Sequence, residues 1–235
     1  MAFRLEEVKD PKDFDEIIPM LYDAFEEPHN ALRRWFMPVL TTVEDAIKLK
    51  VQKTVKNNLA DHVHWLKVTH IETGQIIGAA LWEIRQTIDG IGEPQQPIDA
   101  VWFPEGSEER MFASRLMTSL RGFMKERMGR PHAELEQLVV AKDYRQQGVA
   151  RLLVEWGKHQ ADKLGIESCV ESVPFAVSSY EKLGYGSIDC LHPDVALSQP
   201  SDKYKGYMDD DLRVFILWRP VGHDFDSSID QVPWK

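Results

Sequence analysis

Cysteine is scarce in this chain. Only Cys169 and Cys190 occur among the 235 residues. Two thiols make no disulfide scaffold, and neither has metal-ligand spacing, so a reducing compartment is the simplest expectation. Long apolar runs are lacking too. No segment approaches the roughly 18 consecutive apolar residues of a membrane helix. The opening Met1-Ala2-Phe3-Arg4-Leu5-Glu6-Glu7 carries acids where a secretory leader has its apolar stretch. These absences predict a soluble, intracellular (cytoplasmic) protein with no membrane partner. Basic charge is also short, with 28 Lys+Arg against 38 Asp+Glu and a net charge of -10. That argues against a general nucleic-acid binder. It suits a cationic substrate such as an amine, although an acidic surface more often just keeps a protein soluble. His62 and His64 lie two apart without a third ligand pattern, so no metal is expected. No repeat or low-complexity linker divides the chain, and its length suits a single domain with insertions.

What the chain does hold is apolar periodicity. Residues 3–8 predict a first strand. Phe14, Ile17, Ile18, Leu21 and Phe25 recur at helical spacing until Pro28 ends the run. Thr42, with Asp45 three residues on, reads as a capping box opening a helix to about Leu59. Residues 64–71 and 75–84 flank Glu72-Thr73-Gly74 as a hairpin. Residues 86–104, rich in Gly, Pro and Gln, read as a long loop, and 108–128 as a helix. A strand over 134–140 follows, then a glycine turn and an apolar-striped helix over 149–164 that stops at Gly165. Beyond it come a strand at 167–173, a short helix from Pro174 to Gly184, and strands at 185–190 and 212–218. A long polar connection separates those last two. The hairpin requires antiparallel pairing, and the strand–helix–strand unit around Gly148 requires one parallel pair.

The turn Arg145-Gln146-Gln147-Gly148-Val149-Ala150 is the most informative stretch. Amides of a turn and of the first helical residues lack internal partners, and the helix dipole adds about half a positive charge there. The structural alternative is a plain bend between strand and helix. Lys142, Arg145 and Arg151 against Asp143 favour an anion site. No Gly-Lys-Ser/Thr follows, which removes the Walker A reading, and the lone Gly148 does not make the dinucleotide fingerprint G-x-G-x-x-G.

A second motif lies downstream: Ala176, then Tyr180 four residues on, then Lys182, Gly184 and Tyr185. Together the two motifs resemble the core of the GNAT superfamily of N-acetyltransferases over residues 134–186. Ala150, at the last turn position, is a departure that the family tolerates. The resemblance implies one α/β domain over residues 1–235, with core motifs at 134–186 and an insertion at 86–131. It implies a mixed, mostly antiparallel twisted sheet flanked by helices, with a V-shaped cleft for CoA between central strands. The donor implied is acetyl-CoA or another acyl-CoA, used as a co-substrate without a metal. Its pyrophosphate would take amides of Gln146, Gln147, Gly148, Val149 and Ala150, with Arg145 and Arg151 adding charge. Its pantetheine arm would pair with Leu138, Val139 and Val140, freed by a β-bulge.

Acetyl transfer to an amine needs a base for the ammonium, a donor for the thioester oxygen and a partner for the leaving thiolate. By motif position Glu134 sits where the family often keeps its base, and Glu136, two residues on, is the second choice. Both also read as solvent-facing strand residues. The oxyanion donor is expected to be an amide near Leu138 or Val139. By resemblance Tyr180 acts on the CoA sulfur, as general acid or as hydrogen-bond donor only. Cys169 reads as a core residue rather than an acyl carrier. Asp209-Asp210-Asp211 reads as a solvated loop, and Trp35, Phe36, Trp82, Trp102 and Phe103 read as core before acceptor pocket. The expected activity is acetylation of a primary amine, on a small molecule or peptide, by direct attack in a ternary complex, by a monomer or homodimer. The alternatives are a non-catalytic CoA-binding or regulatory module of the same fold and an unrelated αβ phosphate binder. The N-terminal helices, residues 86–104 and residues 190–211 are expected to build the acceptor site.

Overall fold

The computed structural model describes residues 2–58, 60–88 and 95–234. Strand β1 (Phe3–Glu7) leads into helix α1 (Phe14–Ala24), which buries Phe14, Ile17, Ile18 and Leu21 as their spacing predicts. After α2 (Arg33–Phe36) comes α3 (Val43–Asn57), capped by Thr42, whose hydroxyl accepts the Asp45 N–H at 3.1 Å. The reciprocal half of a capping box does not form, because the Asp45 carboxylate takes the Thr41 hydroxyl instead, at 3.0 Å. The expected end of this helix, Leu59, lies outside the described residues, as do residues 89–94 of the expected loop.

Strands β2 (Val63–His70) and β3 (Ile76–Arg85) form the hairpin, turning at Gly74 with φ 74°. Helix α4 (Glu108–Arg127) is capped by Ser107. Then follow β4 (His132–Val140), α5 (Val149–Leu164), β5 (Glu167–Ser172), α6 (Val177–Glu181), β6 (Gly186–Leu191), α7 (Asp202–Tyr207) and β7 (Val214–Arg219). The sheet runs β1-β2-β3-β4-β5-β7-β6. Only β4 and β5 are parallel, joined by α5. The fold is therefore the mixed, mostly antiparallel α/β sheet expected.

Helix α5 covers one face through Leu153, Val154 and Ala161 against Leu66, Ile77 and Trp82. The other face carries α1 against Trp65 and Val139, and α4 with Trp35 and Tyr204 against Cys169 and Ile216. The connection at 192–213 departs from its expected irregularity. It holds α7, pinned by Tyr204, which is fully buried and donates its hydroxyl to the Val195 carbonyl at 2.7 Å.

Two features of β4 prepare the site. Leu81 pairs with Gln137 but Trp82 with Leu135, so Glu136 is an extra residue on the β4 side, a β-bulge. Leu135 and Leu138, three apart, consequently pack in the same cluster under α5. Pairing of β4 with β5 covers only His132–Leu135 against Glu167–Val170. Past Leu135 the two strands part.

Candidate active site

A groove of about 750 Å³ opens where β4 and β5 separate. Its rim is the glycine turn. Gly148 has φ 87° and Gln146 φ 61°, both left-handed. Among the described residues no acceptor meets the amides of Gln146, Gln147, Gly148, Val149 or Ala150. A Cβ on Gly148 would meet nothing within 4 Å, so the ridge of amides stands open at the N-terminus of the 16-residue α5. Gln146, Gly148 and Ala150 line the groove, while the Val149 side chain is buried beneath it. Two of the nominated side chains turn elsewhere. The Arg145 guanidinium donates to the carbonyls of Glu27 (2.9 Å) and Ala24 (3.4 Å), tying the turn to the end of α1. Gln147 Nε2 donates to the Asp143 carbonyl at 2.8 Å. Arg151 is exposed beside the groove and does not line it.

Leu138, Val139 and Val140 form the groove wall. The Ala141 N–H donates to Ile77 on β3 at 2.9 Å. Amides alternate along a strand, so those of Val140 and Leu138 point to the opposite edge, which β5 has left. The bulge that exposes this edge lies at Glu136, before the stretch for which it was expected.

At the floor Glu134 and Glu136 both line the groove. Glu134 is buried beside His132 (3.8 Å) and Arg85 (3.9 Å). Burial alone raises its carboxyl, but contact with His132 and the charges of Arg121 and Arg85 outweigh burial and hold it below the ordinary value. Glu136 faces Arg121 at 3.4 Å. Burial, then the Glu134 charge, push its carboxyl up to about 7. Glu171 on β5 is a third groove carboxylate that sequence reasoning missed. Its Oε1 is buried without a hydrogen-bond partner, and burial with the Glu134 charge raises it to about 8. An acid at that point of an otherwise buried strand was the available signal. Arg121, from α4, was also missed, because nothing in a helical stripe marks which charged residue turns inward.

Tyr180 closes the groove opposite the turn. Its ring packs edge-on to Tyr185 with centroids 6.5 Å apart. Its hydroxyl has no partner among the described residues. Burial raises the phenol above its ordinary value. Cys169 is fully buried, and burial pushes its thiol well up, as suits a core residue. Asp210 pairs with Arg34 and Asp211 with Arg213, so the aspartate run is a solvated loop. Trp35, Trp82 and Phe103 are core, while Phe36 lines the groove. Neither 95–104 nor 190–211 lines this groove, but Val101 and Trp102, from the expected loop, line a second chamber that adjoins it. The groove's acceptor side is built by α1, α2, α3 and α4. Among the described residues no group of His, Cys, Asp or Glu could hold a metal, and no helix is long and apolar enough to cross a membrane.

No curated protein sequence matches the chain. Among solved structures it is similar to the histone acetyltransferase HPA2 and related acetyltransferase from Corynebacterium glutamicum. The two are 18% identical with a TM-score of 0.55 over 97% of this chain and 99% of that one. It is also similar to mosquito arylalkylamine N-acetyltransferase like 5b, 14% identical with a TM-score of 0.54 over 92% and 99% of the chains. At these identities the likeness establishes the fold. Residues 103–190, which include the bulged strand, the turn and the Tyr180 motif, match the family model for the acetyltransferase (GNAT) domain. Over that stretch, and in its fold, the chain is similar to GNAT acetyltransferases.

Proposed function

We propose that this protein moves an acetyl group from acetyl-CoA to a primary amine by direct attack in a ternary complex. The observation that carries the reading is the continuity of one groove. It runs from the open amides at the start of α5, along the freed edge of β4, to Glu136. The open amides suit a pyrophosphate and the strand edge suits an amide-bearing arm. When bound, acetyl-CoA supplies the thioester whose carbon forms the new C–N bond as its C–S bond breaks.

Glu136 takes the proton from the acceptor ammonium. A carboxylate pushed up to about 7 is a stronger base than an ordinary one and is still ionised in good part near neutrality. Glu134, held below the ordinary value, is the weaker base. It serves as the fixed charge that tunes Glu136. The Leu138 amide, on the open edge, is the donor for the thioester oxygen. Tyr180 donates a hydrogen bond to the leaving sulfur. Because its phenol is raised, handing over the proton completely is less favourable than hydrogen bonding, and solvent protonates the thiolate.

The test is CoA thiol release with a panel of primary amines, with products identified by mass spectrometry. Tyr180→Phe should lower kcat about ten-fold, the worth of one hydrogen bond to a charged atom, with CoA affinity unchanged. CoA binding without release for any amine would favour a regulatory module. No CoA binding would favour an unrelated phosphate binder.

A further inference from the structure

The groove continues into a second chamber of about 640 Å³ between α3 and the faces of β2 and β3. The two share Phe36, Met37, Lys50 and Gln137. Cations lining the first groove are nearly all engaged. Arg121 faces Glu136, Arg33 pairs with Glu26, and Arg145 is tied to carbonyls. Lys50 is different. Neither it nor Lys53, one turn along α3 and also lining the second chamber, forms a salt bridge with a carboxylate among the described residues, although the charge of Glu136 acts on Lys50. Two ammonium groups three residues apart on a helix repel each other. Burial, then the Lys53 charge, lower the pKa of Lys50 and outweigh the Glu136 charge, which raises it. An anion would relieve both costs. The carboxylates of this chamber do not serve, since Asp45 takes the Thr41 hydroxyl and Glu83 pairs with Arg85. At the junction, Gln137 Oε1 is buried without a partner and calls for a donor on a ligand. Around these groups, Phe36, Leu40 and Leu49 leave large apolar surface exposed in the chamber wall.

We propose that the acceptor is a primary amine carrying a carboxylate at the far end of an apolar spacer. Its amine lies at Glu136 and Gln137, its spacer runs past Phe36, and its carboxylate meets Lys50 and Lys53. This rests on the transferase reading and names the substrate class for the same site. A diamine, which an acidic protein might be thought to prefer, is disfavoured because its second ammonium would face two lysines.

The experiment compares three matched acceptors at each chain length: an n-alkylamine, the ω-amino acid and the α,ω-diamine. CoA release is measured with the full-length protein. At the best length, kcat/KM for the ω-amino acid should exceed that of the alkylamine by roughly ten-fold, the worth of one charge-assisted contact, and the gain should lie in KM. In the variant carrying Lys50→Met and Lys53→Met the ratio should fall to about one, with CoA affinity reporting that the variant is folded. Equal or better use of the alkylamine or diamine by the unaltered protein overturns the inference and leaves the transferase reading standing. So does a preference for the ω-amino acid that survives the double variant. CoA release with none of the three overturns this inference, and release with no primary amine of any kind overturns the transferase reading as well.

Discussion

Glu134 and Glu136 sit two positions apart and are held in opposite states by their surroundings. His132, Arg121 and Arg85 keep Glu134 ionised, and its charge, added to burial, keeps a proton on Glu136 up to about 7. The base works only when deprotonated, so kcat/KM should rise with pH and level off above a midpoint near 7. Glu136→Gln should remove that rise and lower the plateau by about a hundred-fold, the usual worth of a general base. Glu134→Gln should act differently. With the neighbouring negative charge gone, the proton leaves Glu136 more easily, and the midpoint should move to lower pH. A pH profile of each variant decides the matter. An unchanged midpoint in Glu134→Gln would sink the tuning role, and a persisting rise in Glu136→Gln would remove Glu136 as the base.

Helix α5 presents the proposed anion site, and its position over the sheet depends on Gly157. The Trp82 ring of β3 lies directly against the Gly157 backbone, in the space a Cβ would need, while Trp82 Nε1 donates to the Leu153 carbonyl at 3.1 Å. Gly157→Ala improves helix propensity by about 1 kcal/mol. It should nevertheless destabilise the protein by about 2 kcal/mol, because a ring that is fully buried and hydrogen-bonded has nowhere to move. Chemical denaturation measures the sign, and a stabilised variant would contradict the packing argument. Gly148→Ala should act mainly on binding. It strains one left-handed residue by about 1–2 kcal/mol, and its main effect should be weaker CoA binding, read by calorimetry. Elements of this kind were legible in the chain because each carried its own period and its own stop or start: Gly165 after α5, Thr42 before α3, Gly74 in the hairpin. The position of the bulge was not: the resemblance put it at 138–140, and two residues facing one leaves no mark in a run of apolar and acidic positions to place it at Glu136. Helix α7 was hidden for another reason. Its sequence, Asp202–Tyr207, is polar and six residues long, and its anchor, Tyr204, is buried by tertiary contacts alone. Lys50 and Glu171 reach the site through packing of α3 and β5, which no local pattern encodes.

At the scale of the whole molecule, two sets of carboxylates pull stability in opposite directions with pH. One joins α5, β7 and the C-terminal segment. Arg219, 4% exposed, bonds Asp162 at 2.7 and 3.0 Å and Asp224 at 3.1 Å. Lys158 bonds Asp224 at 2.8 Å and the Leu183 carbonyl at 3.0 Å, holding the turn after Tyr180. The Arg219 hydrogen bond lowers Asp162. For Asp224, burial works the other way but is outweighed by bonds to Lys158 and Arg219. Carboxylates lowered in the folded state give stability that is present above about pH 4 and lost as pH falls through their folded values. The other set lies in the groove. Burial and mutual repulsion raise Glu136 to about 7 and Glu171 to about 8. Groups raised in the folded state do the opposite: their contribution is full below the unfolded value of about 4.5 and is lost as pH rises to about 8. Thermal stability should therefore peak near pH 5 and decline towards pH 8. Glu171→Gln removes the second loss without creating a cavity, because the amide is the same size as the carboxyl. It should leave the melting temperature at pH 5 nearly unchanged and raise it at pH 8 by about 4 °C, the equivalent of about 2 kcal/mol in a chain of this length. A melting curve at each pH suffices. Equal shifts at the two values would mean that Glu171 carries no such proton, and the acid cluster of the groove would then have to be charged throughout.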